Sequence, residues 1–147
     1  MFIDRISRQT WLALVATLIV AIVAFAYYSS NAAAADIKVT LAGDQEVPPV
    51  KAAGTGTGTI IVGADMSVSG SVTTTGVAGT AAHIHEAAFG MNGPVIIPLT
   101  KNGDTYTVPA GAKLTDAQFA SFRAGNLYVN VHTAANPGGE VRGQLKP

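Results

Sequence analysis

Apolar and polar residues alternate along most of the chain. A period of two places every second side chain on the same face of a β-strand, so alternation predicts strands that are buried on one face only. Residues 37–41 show this pattern, residues 55–62 lead into a second strand, and residues 66–74 alternate again. Glycine and threonine are frequent around these segments, but the embedded valines and isoleucines are typical of strands.

Turn residues mark further strand boundaries in the middle of the chain. Residues 95–99 predict a strand that contains Pro98. Because proline cannot donate a hydrogen bond to a ladder, this strand is expected at a sheet edge or beside a bulge. Asn102 and Gly103 predict a hairpin with a type I′ turn, in which both central residues take positive φ. The returning strand is predicted at 105–108.

The last two strands are predicted at 127–132 and 140–145. In the first, Leu127 and the two valines that follow at alternate positions face one side, and the polar residues between them face the other. Short strands with turns every 8–12 residues or so are typical of sandwiches and barrels. The fold class is therefore predicted to be all-β, either a two-sheet antiparallel sandwich or a flattened Greek-key barrel, with about seven strands.

One segment, which ends at Gly125, breaks the β pattern and predicts a short helix. Thr115 and Gln118 have the spacing of a capping box, in which each side chain bonds the backbone N–H of the other residue. Gly125 is placed to end the helix in the left-handed conformation. Phe119 and Phe122 share a helix face and are expected to cover one end of the sheet core.

The first 35 residues have the features of a secretory signal peptide. Arg5 and Arg8 give a positive start, residues 11–28 are almost wholly apolar, and residues 33–35 form a small-residue cleavage pattern. The alternative is an uncleaved membrane anchor, because an apolar helix of this length reaches roughly 27 Å, close to the hydrocarbon thickness. In both cases residues 36–147 are expected to form one exported domain, in the periplasm, at the cell surface or outside the cell.

Charge and cysteine content narrow the choice of partner. Without residues 1–35 the chain keeps seven basic and eight acidic side chains, a formal net charge of −1. A chain with no basic excess is not expected to bind nucleic acid. Contact with a membrane is expected only through an uncleaved N-terminal segment. The chain has no cysteine, so this small exported domain depends on its core, or on its core and a ligand, rather than on disulfides.

The three histidines of the chain are the candidate metal ligands. His83 and His85 are two positions apart in a predicted strand, so their side chains point to the same face. His132 lies on the polar face of its own predicted strand. If the fold brings the two strands together, three imidazoles without a thiolate suit copper, or less well zinc. Histidine is mostly neutral at pH 7, as metal ligation requires.

Five polar residues are predicted to surround these histidines or to contact an anion: Glu46, Glu86, Asn130, Glu140 and Arg142. Glu86, Asn130 and Glu140 are natural hydrogen-bond partners for histidine rings, whether or not a metal is bound. Glu46 and Arg142 are expected to form an ion pair between the Val-Pro-Pro loop and the last strand. The alternative for this pair is that it flanks the metal or a bound anion.

Several segments together resemble the CHRD domain, a family named after chordin and common in exported bacterial proteins. The resemblance lies in residues 41–50, residues 81–85, residues 92–94 and the two final strand segments, 127–133 and 137–145. These motifs occur in the same order as in the family and extend over essentially all of 36–147. The resemblance implies a secreted β-rich domain whose biochemical role is poorly defined.

A shorter segment is similar to copper/zinc superoxide dismutase. The run from His83 to Glu86 resembles the copper-binding His-x-His strand of that family, and the run around Arg142 resembles its C-terminal segment with the active-site arginine. That family uses more histidines, a zinc-binding aspartate and a disulfide. With three histidines and no cysteine, the present chain cannot form the paired copper–zinc site.

Three functions are consistent with the sequence. The first is an exported β-sandwich that coordinates copper, or zinc, through the three histidines for metal handling. The second is a structural or adhesive envelope domain without metal, in which the histidines form a polar cluster. The third is a redox protein that resembles a copper-only dismutase, with Arg142 attracting an anion. The sequence contains no established catalytic motif and favours a binding module over an enzyme. Beyond a metal ion it indicates no partner.

Overall fold

A computed structural model describes residues 34–147 of the chain. The predicted signal peptide or anchor lies almost entirely outside the described residues. Within them, no helix has the length and apolar character needed to cross a bilayer. The elements are β1 Ala35–Leu41, β2 Thr55–Val62, β3 Val68–Thr75, β4 Gly79–Glu86, β5 Val95–Pro98, β6 Thr100–Asn102, β7 Thr105–Thr107, α1 Asp116–Arg123, β8 Leu127–Thr133 and β9 Val141–Leu145.

The strands form two antiparallel sheets, which confirms the predicted all-β sandwich. One sheet has the order β1-β2-β3-β7-β6, and the other has the order β5-β4-β8-β9. β5 lies at an edge and its pairing with β4 is interrupted between Ile84 and His85, as Pro98 led us to expect. The described part of the chain has nine strands where about seven were expected. β7 is the returning strand predicted at 105–108, and the short β6 is the strand that the sequence did not predict.

Main-chain hydrogen bonds join the two sheets on both sides of the sandwich. On one side, the Ala42 N–H donates to the Arg142 carbonyl at 3.0 Å and the Arg142 N–H donates to the Ala42 carbonyl at 3.1 Å. On the other side, the Leu99 N–H, between β5 and β6, donates to the Ala82 carbonyl at 2.9 Å. The sandwich is therefore close to a flattened barrel.

The apolar core fills the space between the sheets. The five-stranded sheet contributes mainly β-branched and leucine side chains, together with the ring of Tyr106. Opposite them lie Ile84, Val129, Val131 and Leu145 of the four-stranded sheet, each about 1 % exposed or less. Burying a side chain of this size stabilises the fold by about 1.5–3 kcal/mol. In β1 of the five-stranded sheet, the alternation in the sequence arises from this one-sided burial.

The opposite face of the four-stranded sheet carries the polar residues and is also buried. Directly paired residues on antiparallel strands point to the same side, and the pairs here are His83 with Asn130, His85 with Tyr128, and Asn130 with Arg142. Tyr128, Asn130 and Arg142 are each no more than 2 % exposed. Three loops, at 43–54, 87–94 and 134–140, cover this face and form a second, polar layer.

Two turn predictions are corrected by the structure. Asn102 belongs to β6 and pairs with Thr105, so the two-residue loop is Gly103-Asp104. Gly103 has φ +60°, but neither Asn102 nor Asp104 has a positive φ, so the predicted type I′ turn is wrong in type as well as in position. Met66 was predicted to begin a strand, but it takes φ +66° within the preceding turn, and β3 begins at Val68.

The helix has the predicted cap. The Gln118 N–H donates to the Thr115 hydroxyl at 3.2 Å, and the Thr115 N–H donates to the Gln118 side chain at 2.9 Å. Gly125 follows the helix with φ +74°. Phe122 is buried, and its ring lies 6.1 Å from that of Phe119, which packs against the edge of the core.

Thr115→Ala is expected to lower the unfolding free energy by about 1 kcal/mol, because it removes the hydroxyl that accepts the Gln118 N–H. Chemical denaturation would measure the change. Thr107→Ala, on exposed strand surface, is the control and should change stability by less than about 0.5 kcal/mol. Equal effects of the two substitutions would contradict a capping role.

Candidate metal centre

The three histidine rings meet on the polar face of the four-stranded sheet. The ring centroids of His83 and His132 are 4.8 Å apart, those of His83 and His85 are 5.6 Å apart, and those of His85 and His132 are 6.0 Å apart. One nitrogen of each ring lies within 4.8 Å of the others. The predicted convergence of two chain segments nearly fifty residues apart is therefore confirmed.

The strand register brings these side chains together. His83 and His85 are alternate residues of β4, and β8 runs antiparallel beside it with Ala81 paired to His132 and His83 paired to Asn130. His132 is therefore the diagonal neighbour of His83 on the same face, a separation that long or aromatic side chains can bridge.

Main-chain carbonyls fix the orientation of two of the rings. His132 Nδ1 lies 2.9 Å from the Pro137 carbonyl, and His85 Nδ1 lies 3.0 Å from the Gly93 carbonyl. A carbonyl oxygen can only accept, so Nδ1 must be the protonated nitrogen in both rings. In the neutral ring this leaves the Nε2 lone pair free to bind a metal, the arrangement by which carbonyls orient metal-binding histidines.

His83 is the candidate ligand whose tautomer would have to change for a metal to bind. Its Nδ1 lies 2.9 Å from His132 Nε2, so His83 Nδ1 donates when His132 Nε2 accepts. Moving the proton of His83 to its own Nε2 would turn both of these nitrogens into lone-pair donors. Two nitrogens bound to one ion at about 2.0 Å are at most about 4 Å apart, so the widest pair would need to close by about 1 Å.

Burial keeps the two histidines of β4 neutral. Desolvation lowers the pKa of His83 below its usual value of 6.5, and the nearby His132 and His85 rings lower it further. Desolvation also lowers the pKa of His85, although the Gly93 carbonyl acts in the opposite direction. Both rings are therefore unprotonated at pH 7, and a metal ion would not have to displace a proton from an imidazolium.

The His85 ring, the Tyr128 ring and the Arg142 guanidinium form a stack on the polar face of the sheet. The Tyr128 ring lies parallel to the His85 ring, with a centroid distance of 4.8 Å and an interplanar angle of 8°. On the other side of Tyr128, the guanidinium carbon of Arg142 lies 3.4 Å from the ring centroid. Stacking of this kind fixes the plane of the His85 ring.

Arg142 also holds the loop that orients His85. Its guanidinium donates to the Met91 carbonyl at 2.9 Å, to the Asn92 side chain at 3.3 Å and to the Gln144 side chain at 3.3 Å. The neighbouring residue, Gly93, supplies the carbonyl that accepts from His85, and its own N–H donates to the Tyr128 hydroxyl at 3.3 Å. Arg142 and Tyr128 thus hold the loop and the ring in a single arrangement.

The expected ion pair between Glu46 and Arg142 is wrong. In residues 34–147 the salt bridge that forms joins Lys113 to Asp65. The donors of Arg142 are already used by acceptors of the 91–92 loop and by Gln144. Glu46 is 4 % exposed, and its Oε1 has no hydrogen-bond partner among the described residues. The Asn130 amide lies beside the Glu46 carboxyl group, and the charge of Arg142 lowers the pKa of Glu46 without forming a salt bridge.

Desolvation raises the pKa of Glu46 from 4.5 to about 7, although Arg142 and Asn130 act against the rise. The carboxyl packs against Gly139, which has φ +134° and whose Cα carries no Cβ that would collide with Glu46 Oε1. Any side chain at 139 would displace the carboxyl group. The close packing of the 134–140 turn against the carboxyl group of Glu46 therefore requires glycine at position 139.

Glu46→Gln is expected to change how stability depends on pH. Between about pH 4.5 and 7 the native protein binds a proton at Glu46 that the unfolded chain does not, so the unfolding free energy falls as pH rises through this window. The variant should lose this decline. His83 and His85 affect the unfolding free energy mainly below pH 6.5. Because the fold lowers their pKa values, their contribution makes the unfolding free energy fall as the pH falls in that range. Denaturation at pH 6.5 and pH 8 would measure the difference, and the same decline in both proteins would contradict it.

Glu86 and Glu140 lie near the histidines in sequence but bond elsewhere. Glu86 accepts from the Ser121 hydroxyl of α1 at 2.5 Å, and Glu140 accepts from the Asn136 amide at 3.4 Å. The histidines are instead held by the carbonyls of Gly93 and Pro137, which sequence reasoning missed. The only signal for them was the position of Asn-Gly-Pro and Asn-Pro-Gly turns a few residues after each histidine strand.

Comparison with known proteins gives one match. A family model for the CHRD domain matches residues 37–145. No curated protein and no solved structure matches the chain. The match extends from β1 to the end of β9 and includes all three histidines, whereas the resemblance to copper/zinc superoxide dismutase gains no support.

Proposed function

The chain belongs to the CHRD family, and on this basis we propose that it is an exported binding module that coordinates copper, or less favourably zinc, through His83, His85 and His132. Its role would be metal handling in the periplasm, at the cell surface or outside the cell. The observation that carries the proposal is the convergence of three ring nitrogens within 4.8 Å.

The hydrogen bonds around the rings support metal binding. His85 Nε2 is buried and makes no hydrogen bond of good geometry among residues 34–147, although the Asn130 side chain lies beside the ring. The Gly93 carbonyl holds the proton of that ring on Nδ1. A buried lone pair without a donor is costly for a purely structural histidine, whereas a metal ion would satisfy it. Three neutral imidazoles without thiolate or carboxylate are a ligand set suited to Cu(II) and then to Zn(II).

The surrounding polar residues would not bind the metal but would hold the histidine ligands in position. Arg142 would hold the 91–93 loop and the Tyr128 ring against His85. Asn130 lies beside His85 on one side and Glu46 on the other, and Glu140 bonds Asn136 in the turn that carries the Pro137 carbonyl. Glu86 would fix the end of β4 through Ser121.

Titration of the purified protein with Cu(II) and Zn(II), read by calorimetry and elemental analysis, tests the proposal. We expect close to one equivalent of copper per chain, with tighter binding than zinc, and a rise in melting temperature because the ion binds only the folded form. Copper spectra should report nitrogen ligands. A metal-free protein that takes up neither ion and keeps its melting temperature would remove the proposal.

A metal-free structural or adhesive role is the second candidate. It is favoured by one observation, the 2.9 Å contact between His83 Nδ1 and His132 Nε2, which is a complete hydrogen bond without any metal. In that case His83→Ala should destabilise the fold, and added copper should leave the melting temperature of the unmodified protein unchanged. Stoichiometric copper uptake by the unmodified protein would argue against this role.

A further inference from the structure

A cavity of about 210 Å³ lies between two of the loops that cover the polar face of the four-stranded sheet. Glu46, Val47, Pro48 and Val50 form one wall, and the turn at 135–139 forms the other. A water molecule occupies about 30 Å³ of liquid, so the cavity has the volume of about seven waters. That is enough space for a small organic group.

The carboxyl group of Glu46 is the charged group of this cavity. Glu46 lines the cavity, and no cationic side chain of residues 34–147 forms a salt bridge with it. Its Oε1 is buried and accepts no hydrogen bond among those residues. Burying a carboxyl group is costly, and desolvation raises the pKa of Glu46 to about 7 although Arg142 and Asn130 act against the rise. Unsatisfied buried polar groups in a native fold are typical of functional sites.

The remaining walls determine what kind of ligand would complete the site. Val47, Pro48, Val50, Ala135 and Pro137 offer apolar surface. The carbonyls of Pro137 and Gly138 in the same turn already accept from His132 and Asn130. The unmet need is therefore a positively charged hydrogen-bond donor on a short apolar stem. A primary ammonium group has this chemistry, because it carries three donors and one charge.

We propose that this cavity binds a primary ammonium group on a short alkyl stem, with Glu46 as its counter-ion. The same group occurs in free alkylamines and in lysine side chains, so the chemistry is shared by two sources. The site uses residues other than the three histidines and does not depend on metal binding.

The test uses a matched pair of probes, n-butylammonium and 1-butanol, which have the same number of heavy atoms and differ in charge. Titration of the purified protein, followed by the amide NMR signals of Ala135, Asn136, Gly138 and Gly139, gives the affinity of each. We expect n-butylammonium to bind at least about 10-fold more tightly, a factor that corresponds to about 1.4 kcal/mol. Nα-acetyl-lysine methylamide, tested in the same way, shows whether the cavity admits a lysine side chain or only a free amine.

Three variants complete the test. Glu46→Gln should abolish the preference for the ammonium probe, whereas Asp44→Asn, which removes a charge from an exposed position of the same loop, should preserve it. Ala135→Leu should block both probes by filling the cavity from an exposed position. His85→Ala should leave n-butylammonium binding intact, which separates this site from the metal site.

Equal binding of the two probes, or an unchanged preference in Glu46→Gln, would overturn the proposal. If Glu46→Gln does not fold, Ala135→Leu decides the outcome, because that variant keeps the carboxyl group of Glu46. Ammonium binding that persists in Ala135→Leu would then place the bound amine outside the cavity and overturn the proposal as well.

Discussion

His85→Ala is expected to weaken Cu(II) binding by more than about 100-fold, since even the loss of a residue that only supports a ligand costs 10–100-fold. His85 Nε2 is the one ring nitrogen of the three that is buried and without a partner among residues 34–147. Its removal leaves two ligands on neighbouring strands. Calorimetry with Cu(II) measures the affinity, and the rise in melting temperature on adding copper should disappear.

His83→Ala and His132→Ala should weaken copper binding in the same way, and Thr107→Ala provides the control. Thr107 lies in the other sheet, and its side chain is exposed. That variant should bind copper as the unmodified protein does. If His85→Ala still takes up one equivalent with similar affinity, the three rings do not share an ion and the metal site must be rejected.

Arg142→Ala is expected to cost about 3–5 kcal/mol of unfolding free energy, because each buried acceptor left without its donor costs about 1–3 kcal/mol. Arg142 is 1 % exposed, and its truncation leaves acceptors on Met91, Asn92 and Gln144 without donors. It also uncovers the face of Tyr128. The melting temperature should fall by more than about 10 °C in a domain of this size.

Arg142→Lys tests whether Arg142 acts through its positive charge or through the planar shape of its guanidinium group. Lysine keeps the positive charge but lacks the planar guanidinium that stacks on Tyr128 and donates to several acceptors at once. We expect this variant to fold with intermediate stability and to bind copper about 10-fold more weakly, because the 91–93 loop no longer holds the Gly93 carbonyl against His85. If Arg142→Lys equals the unmodified protein in stability and in copper affinity, Arg142 acts only through its charge.

The regular part of the fold follows from local patterns in the sequence. The alternation in β1 reports burial on one face, and in β8 and β9 it separates an apolar core face from a polar face. Thr115 and Gln118 indicate a cap that depends on residues three apart. Such signals depend on residues close together in the sequence, so they can be recognised without knowledge of the tertiary contacts. The shared face of His83 and His85 is of the same kind, because it depends only on the period of a strand.

The failures have a different origin, since they depend on how loops pack over a sheet. Alternation led us to expect a polar outer face, but it cannot show that loops 43–54, 87–94 and 134–140 bury that face and Arg142 with it. The Gly93 and Pro137 carbonyls carry no side-chain signature, so their role toward His85 and His132 could not be derived. The ion pair expected between Glu46 and Arg142 failed because acceptors on a loop took the donors of the arginine.

The hydrogen bonds that join the sheets at Ala42 and at Leu99 have a consequence for behaviour at high protein concentration. A strand whose outer N–H and C=O groups are unpaired can recruit strands from other chains, which is the first step toward fibrils. Here β1 and β9 are connected through Ala42 and Arg142, and the chain passes from β5 into β6 at Leu99, where it also bonds β4. β6 has only three residues, all of them exposed. At these two points the sheet edges are therefore closed to strands of other chains, and the rest of β1, an edge strand of seven residues, is the length on which an intermolecular sheet could grow.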